Sequence, residues 1–340
     1  MQAKHLKINI ITDSAKNVEA TAPIIISASR RTDIPAFYSE WFINRLKKGY
    51  CILRNPFNQK PSYISFEKTR VVVFWTKNPK PLIPFLFELE KRNINYYFQF
   101  TLNDYERENY EPNIPNIQER IDTFKQLSER IGRERVIWRF DPLLQTQDVG
   151  IDELLKKVEY VGNQLKGYTE KLVFSFADIV NYKKVANNLR SVNINYIDFT
   201  DSAMFEFAKA LSSLNKSWKF KLATCAESID LQQFEIKRNS CIDEELMKRV
   251  FSDDKDLLQY LTFGKTSTND TLFSTETIQK SINLKDPNQR KHCGCMISKD
   301  IGMYNTCLHF CKYCYANSST ELVKRNYKTH SPNHESIVTL

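Results

Sequence analysis

Apolar residues along this chain fall into two interleaved patterns. Six short runs rich in β-branched and aromatic residues occupy positions 24–29, 71–76, 96–101, 136–140, 172–176 and 220–224. Most are nearly continuous rather than alternating, which predicts parallel strands covered on both faces. Between them apolar positions step by three and four. One stripe is Ile117, Ile121, Phe124, Leu127 and Ile131, and a second is Ile151, Leu154, Leu155, Val158, Val161 and Leu165. Met204, Phe207, Ala208, Leu211 and Leu214 draw a third, and each stripe reads as one face of an α-helix. Gly132 and Gly167 stand near helix ends, where a left-handed cap is useful. Repeated strand–helix units predict an α/β fold, as a partial (β/α)6-type barrel or an open parallel sheet, followed by a C-terminal cysteine-rich segment.

The periodicity weakens after about Ser252. This divides the chain into an α/β unit over 1–252 and, over 253–330, a connecting segment with a cysteine-rich tail that packs on the strand ends. Residues 262–283, rich in Thr, Ser and Asn, read as the connection, and those beyond about His330 as a mobile terminus.

Polar residues collect where each predicted strand ends. The first runs into Ser29, Arg30, Arg31, Thr32 and Asp33, the second into Lys77 and Asn78, and the third into Thr101 and Asn103. The fourth closes on Arg139 and Asp141, the fifth on Ser175 and Asp178, and the sixth on Cys225 and Glu227. Any one of these is ordinary turn chemistry. Six on one edge predict a site there, because ligands of parallel α/β folds sit at the carboxyl ends of strands.

Composition narrows the class. No apolar run is long enough to span a bilayer, and the first residues lack the apolar core and cleavage site of a secretory signal, so a cytoplasmic enzyme is expected. The formal net charge of +9 suits a phosphate-bearing partner, nucleic acid included. The lysines, however, are spread along the chain as on any solvated surface. Of the 8 cysteines, five (Cys293, Cys295, Cys307, Cys311 and Cys314) crowd one short window. In a large cytosolic chain that density points to metal or redox chemistry rather than disulfides.

Thiolates select iron–sulfur clusters, zinc or copper(I). Cys307, Cys311 and Cys314 lie close enough for one loop to bring three sulfurs to one cluster, and three ligands on a 4Fe–4S cubane leave one iron open. Zinc is the main rival, since Cys293 and Cys295 with two later cysteines make a four-thiolate set. The stretch from Tyr304 to Asn317, with Tyr313 just before the last cysteine, resembles the cluster loop of radical S-adenosylmethionine (SAM) enzymes, especially the spore-photoproduct-lyase-like branch. The whole chain also resembles the domain-of-unknown-function family 1848, through Ser27–Pro35, Trp75–Pro79, Arg139–Pro142 and the tail.

The first resemblance implies a 4Fe–4S cluster on Cys307, Cys311 and Cys314 whose open iron is chelated by SAM. It implies reductive cleavage of SAM to a 5′-deoxyadenosyl radical, which abstracts hydrogen from a nucleic-acid, peptide or small-molecule substrate. It also implies a reductase or a flavodoxin- or ferredoxin-type electron donor, and a Tyr313 packed by the cluster and adenine side. In that superfamily the loop usually follows the first strand. Here it follows all six, so a permuted arrangement is needed to place it over the strand ends. For SAM itself, Arg139 can clamp a carboxylate and Asp141 can accept from ribose hydroxyls, with a simple strand-end ion pair as the alternative. Ser175, Asp178, Arg30, Arg31, Asp33, Lys77, Gln99 and Trp75 are further cofactor or substrate contacts. Cys225, Cys241, Cys293 and Cys295 are candidate ligands of a second cluster. Cys51 reads as core and His309 as a solvent-facing loop residue. The alternative function is a non-catalytic iron–sulfur or zinc protein for electron transfer, sensing or binding.

Overall fold

The structure, a computed structural model, describes residues 4–55, 58, 60–264 and 282–339. The strands in chain order are β1 (Leu6–Ile11), β2 (Asn17–Ala22), β3 (Ile25–Ala28), β4 (Tyr50–Arg54), β5 (Pro61–Ser65), β6 (Val71–Thr76), β7 (Asn95–Thr101), β8 (Val136–Leu143), β9 (Lys171–Phe176), β10 (Lys221–Thr224), β11 (Lys237–Arg238) and β12 (Lys299–Asp300). The helices are α1 (Ile34–Phe37), α2 (Ser39–Lys48), α3 (Phe87–Glu90), α4 (Ile117–Ile131), α5 (Ile151–Leu165), α6 (Lys183–Ser191), α7 (Asp201–Trp218), α8 (Glu244–Val250), α9 (Lys255–Phe263) and α10 (Thr320–Lys328).

Eight strands form one parallel sheet in the order β11-β10-β9-β8-β7-β6-β3-β12. It is an open sheet by its pairings: among the described residues, β11 and β12 do not pair with each other. The six apolar runs are its six central strands. The two edge strands have two residues each, too short to leave a pattern. A second, four-stranded sheet, β1-β2-β5-β4, was not anticipated. Its strands mix exposed and buried residues irregularly, and only β4, which carries the fully buried Cys51, reads as core.

Period-2 geometry explains how the sheet is covered. Even-numbered side chains (Ile26, Phe74, Phe98, Trp138, Phe174, Leu222) pack with the apolar stripes of α2, α4, α5 and α7 in one core. Odd-numbered ones (Ile25, Val73, Tyr97, Ile137, Val173, Ala223) join Met247, Leu257 and Tyr260 of α8 and α9, together with Cys241, Cys293 and Cys295, in another. The helix stripes at 117–131 and 151–165 match α4 and α5 to the residue. Asn116 caps α4 through the Glu119 N–H (2.8 Å), and Gly132 and Gly167 adopt the positive φ expected of them.

The tail differs from expectation in two ways. Its strand β12 pairs parallel with β3, so the cysteine-rich segment joins the main sheet. Residues 331–339 are pinned rather than mobile. The Trp41 indole donates to the His334 carbonyl (2.9 Å), Ile52 N–H donates to Glu335 O (2.8 Å), and Ile337 and Val338 are buried. Two apolar side chains near the chain end are too weak a pattern to reveal this. Most of the expected connection, residues 265–281, lies outside the described residues.

Candidate functional site

The odd-numbered rows of side chains reach the carboxyl ends of their strands and the residues just beyond, so one face of the sheet ends in Ser29, Trp75, Lys77, Thr101, Arg139, Asp141, Ser175 and Cys225. These residues line a cavity of about 540 Å³, within the range of sites that hold small ligands and cofactors. Arg30, Arg31, Asp33, Asp178 and His309 line it as well. So do all seven cysteines other than Cys51: Cys225, Cys241, Cys293, Cys295, Cys307, Cys311 and Cys314.

The loop carrying the last three cysteines leaves β12, which lies beside β3 and runs parallel to it. It therefore emerges at the carboxyl edge of the sheet. Asp300 makes the junction, accepting from Ser27 Oγ, Ser29 Oγ and the Arg30 N–H, each at 2.9 Å. A Cβ at Gly302 would stand 1.8 Å from Ser29 Oγ, so only glycine allows the two segments to close this tightly. Further along, the Tyr38 hydroxyl donates to the Thr306 carbonyl (2.6 Å) and Lys312 N–H to Tyr110 O (2.9 Å). The Asn188 amide reaches the Cys314 carbonyl (2.8 Å).

His309 is buried, contrary to the solvent-facing reading. Its ring nitrogens face Asp33 Oδ2 (2.7 Å) and the Asn113 carbonyl (3.0 Å). The same Asp33 caps α1 through Ala36 N–H (3.0 Å) and accepts from Lys77 N–H (2.7 Å). One carboxylate thus fixes the ends of β3 and β6 and the middle of the cysteine loop.

Tyr313 points inward to a second buried network. Its hydroxyl donates to Glu111 and accepts from Lys77 Nζ (3.2 Å) and Asn103 Nδ2 (3.0 Å). Lys77 Nζ lies 2.6 Å from Glu111 Oε1, and Arg120 flanks the same carboxylate at 3.7 Å. Burial opposes ionisation of Glu111, but Lys77 and Arg120 overcome it and hold the carboxyl below its usual range. Lys77, expected as a substrate contact, is a strut for the loop even though it lines the cavity.

On the fourth and fifth strands, Arg139 pairs with Asp141, and the Ser175 hydroxyl donates to the same carboxylate. Arg139 Nη1 also contacts Gln99 Oε1 and Cys241 Sγ, both at 3.1 Å, and the residue is only 3% exposed. Its guanidinium is held by internal partners, which weakens its case as a carboxylate clamp and realises the ion-pair alternative. Gln99 is buried, donates to the Cys241 carbonyl (2.9 Å) and does not line the cavity. Arg30 stacks over Trp75 (4.8 Å), and its Nη2 is buried without a hydrogen-bond partner. Glu227, its carboxyl pushed up to about 7 by burial, accepts from Phe176 N–H (3.1 Å).

The thiols themselves divide into two groups. Burial pushes Cys307 up to about 12 and Cys311 well above the ordinary thiol range. Uncomplexed, such thiols are poor nucleophiles. Cys225 and Cys241 are 3.7 Å apart at sulfur, the Cys241 N–H donates to Cys295 Sγ (3.2 Å), and a hydrogen bond with Cys295 draws Cys293 down to about 7. Among the described residues, no three His, Cys, Asp or Glu side chains stand close enough together to hold one metal ion.

Sequence reasoning missed Asp300, Glu111 and Asp33's central role. Each is an isolated acid whose partners are remote in sequence. The only available signal for Glu111 was an acid amid loop residues with no periodic context.

The family model described as "Domain of unknown function (DUF1848)" matches residues 25–316. No curated protein matches the chain. One solved structure, described as a "putative alpha-L-fucosidase" from Bacteroides thetaiotaomicron, aligns over 57% of this chain and 84% of its own. At 9% identity and a TM-score of 0.24 it carries no argument about fold or activity.

Proposed function

This chain belongs to the domain-of-unknown-function family 1848, a description that carries no reaction, and we propose that it is a radical-SAM enzyme. The observation that carries this reading is the placement of the loop. Cys307, Cys311 and Cys314 follow an edge strand of a parallel sheet and line a cavity at its carboxyl end. That is the spatial order of strand and cluster loop in the superfamily the loop resembles, reached from the opposite end of the chain.

In this reading Cys307, Cys311 and Cys314 hold a 4Fe–4S cluster. When bound, it supplies one electron to cleave the sulfonium of SAM into methionine and a 5′-deoxyadenosyl radical, which takes a hydrogen atom from the substrate. The protein's own contribution is orientation and exclusion of water. Asp141, kept ionised by Arg139 and Ser175 against the effect of burial, offers carboxylate oxygens to ribose hydroxyls on the cavity wall. Tyr313, locked by Glu111 and Asn103, presents a fixed ring edge beside the loop. Ile179, Tyr182 and Val185 add apolar lining suited to adenine. A substrate (nucleic acid, peptide or small molecule) enters the same cavity, and a reductase or a flavodoxin- or ferredoxin-type protein supplies the electron. Among the described residues no helix is long and apolar enough to cross a membrane.

The test is anaerobic purification, assay of iron, sulfide and zinc, and reduction with dithionite in the presence of SAM. Release of 5′-deoxyadenosine by the native chain and its loss in Cys311→Ala are expected. A colourless, zinc-loaded protein that leaves SAM intact would end this reading.

A further inference from the structure

Four cysteines remain outside the loop, and they come from three separate parts of the chain. Cys225 follows β10, Cys241 follows β11, and Cys293 and Cys295 flank Gly294 in the segment that precedes β12. Gly294 has Ser240 Oγ 2.4 Å from where a Cβ would lie, so that segment is pressed against the turn carrying Cys241. The sulfurs of Cys225 and Cys241 are 3.7 Å apart, too far for a disulfide bond of about 2.05 Å and close for two groups that would repel as thiolates. Cys241 is held from both sides: Tyr97 Oη (2.7 Å) and Gln99 Nε2 (2.9 Å) donate to its carbonyl, while its own N–H donates to Cys295 Sγ (3.2 Å).

The surroundings are built for negative charge. Arg139 Nη1 (3.1 Å) and Asn239 Nδ2 (3.2 Å) both donate to Cys241 Sγ. Arg30, stacked on Trp75, brings a second guanidinium whose buried Nη2 has no hydrogen-bond partner. Its electrostatic partners include Cys295, Cys241 and Cys293. A guanidinium nitrogen shielded from water with no acceptor is costly. Four neutral thiols do little for it, whereas a four-thiolate metal centre, a dianion on a divalent core, adds a counter-charge to the one Asp300 supplies and gives Arg139, already paired with Asp141, a second anionic neighbour. Sulfur donors select iron–sulfur or zinc. Cys225 and Cys241, 3.7 Å apart at sulfur, have the spacing of two thiolates on one tetrahedral metal, so the four fit a core that takes its thiolates in pairs, as two irons bridged by two sulfides do.

We propose that Cys225, Cys241, Cys293 and Cys295 bind a second iron–sulfur cluster on the wall of the same cavity, with Arg30 and Arg139 as its counter-charges. This assignment stands or falls independently of the tail loop. The test compares the full-length chain, purified anaerobically, with Cys307→Ala/Cys311→Ala/Cys314→Ala and with Cys225→Ser/Cys241→Ser. The loop variant should keep about a third of the iron and acid-labile sulfide and remain brown. The second variant should lose that same third and keep the rest. In case the serine variant folds poorly, the native protein provides a second measurement. Anaerobic alkylation followed by mass spectrometry should find all four cysteines protected until a chelator and oxidant strip the iron. A loop variant that carries no metal, or zinc without sulfide, overturns the proposal, as does a Cys225–Cys241 disulfide in the native chain. Loss of iron only from the loop set would instead remove the Proposed function's cluster and leave this one standing.

Discussion

Replacing Glu111 with glutamine removes one negative charge from a site that holds two positive ones. The Glu111 and Arg120 side chains are each 1% exposed and Lys77 is 15% exposed, so water cannot take the place of the lost carboxylate. Arg120 would keep the Pro115 carbonyl (3.0 Å), and Lys77 the Tyr313 hydroxyl and a neutral amide oxygen in place of the carboxylate, so neither cation keeps a counter-charge there. Breaking one partner of a buried ion pair costs about 3–5 kcal/mol, a large share of the 5–15 kcal/mol or so that stabilises an ordinary domain. Urea unfolding monitored by circular dichroism at pH 7 should show Glu111→Gln destabilised by roughly that amount, with an unchanged slope. Adding Lys77→Met should recover part of the loss, because the stranded cation goes too. The pH dependence has a definite sign. Glu111 has a depressed folded pKa, so its contribution is present above the unfolded carboxyl value of about 4.3 and is lost as pH falls through the lower folded value. The gap between native and Glu111→Gln should therefore close only in acid, below about pH 4. A loss under about 1 kcal/mol at pH 7, within the range of an exposed pair, or a gap that persists at the lowest pH, would refute the view that this carboxylate neutralises the site.

Three further outcomes follow from the packing. Gly302→Ala should cost about 1–3 kcal/mol or more by overpacking against Ser29, and Ser29→Gly should rescue it; equal thermal midpoints for native and Gly302→Ala would disprove the close approach. His309→Ala removes one of the two donors to Asp33 Oδ2 and the ring that bridges it to the Asn113 carbonyl, an expected loss of about 1–3 kcal/mol, with faster hydrogen exchange across 304–316 as the specific readout. Exchange that speeds up uniformly over the chain would argue for general destabilisation instead. Ile337→Ala, at a fully buried position near the chain end, should cost about 2–5 kcal/mol, measurable as a lowered urea midpoint; a neutral effect would mean the terminus is loosely held after all.

The six central strands and the long helices were legible because burial leaves a period. Val71–Thr76 and Ile117–Ile131 carry enough consecutive apolar positions to define both element and boundary. The polar endings were legible for the same reason: side chains alternate up to the carboxyl end of a strand, so Arg139 and Asp141 within β8 keep one face. Strand order, the four-stranded sheet and the two-residue edge strands left no such trace. Roles were harder than positions. Arg139 and Lys77 have the chemistry of ligand contacts, yet buried acids and a thiol occupy their donors.

Sequence alone determined that the chain is an α/β protein with a polar edge and a three-cysteine loop, since local spacing encodes periodicity and ligand count. Only tertiary structure decided where the loop goes. Ser29 and Asp300 meet across 271 residues and Asp33 and His309 across 276, and no local pattern records such a contact. The same holds for Cys225, Cys241 and Cys295, whose thiols are brought together by strands β10 and β11 and by a segment that returns to the sheet near its end. Parallel strands put every carboxyl end on one edge, so residues far apart in the chain share one cavity there.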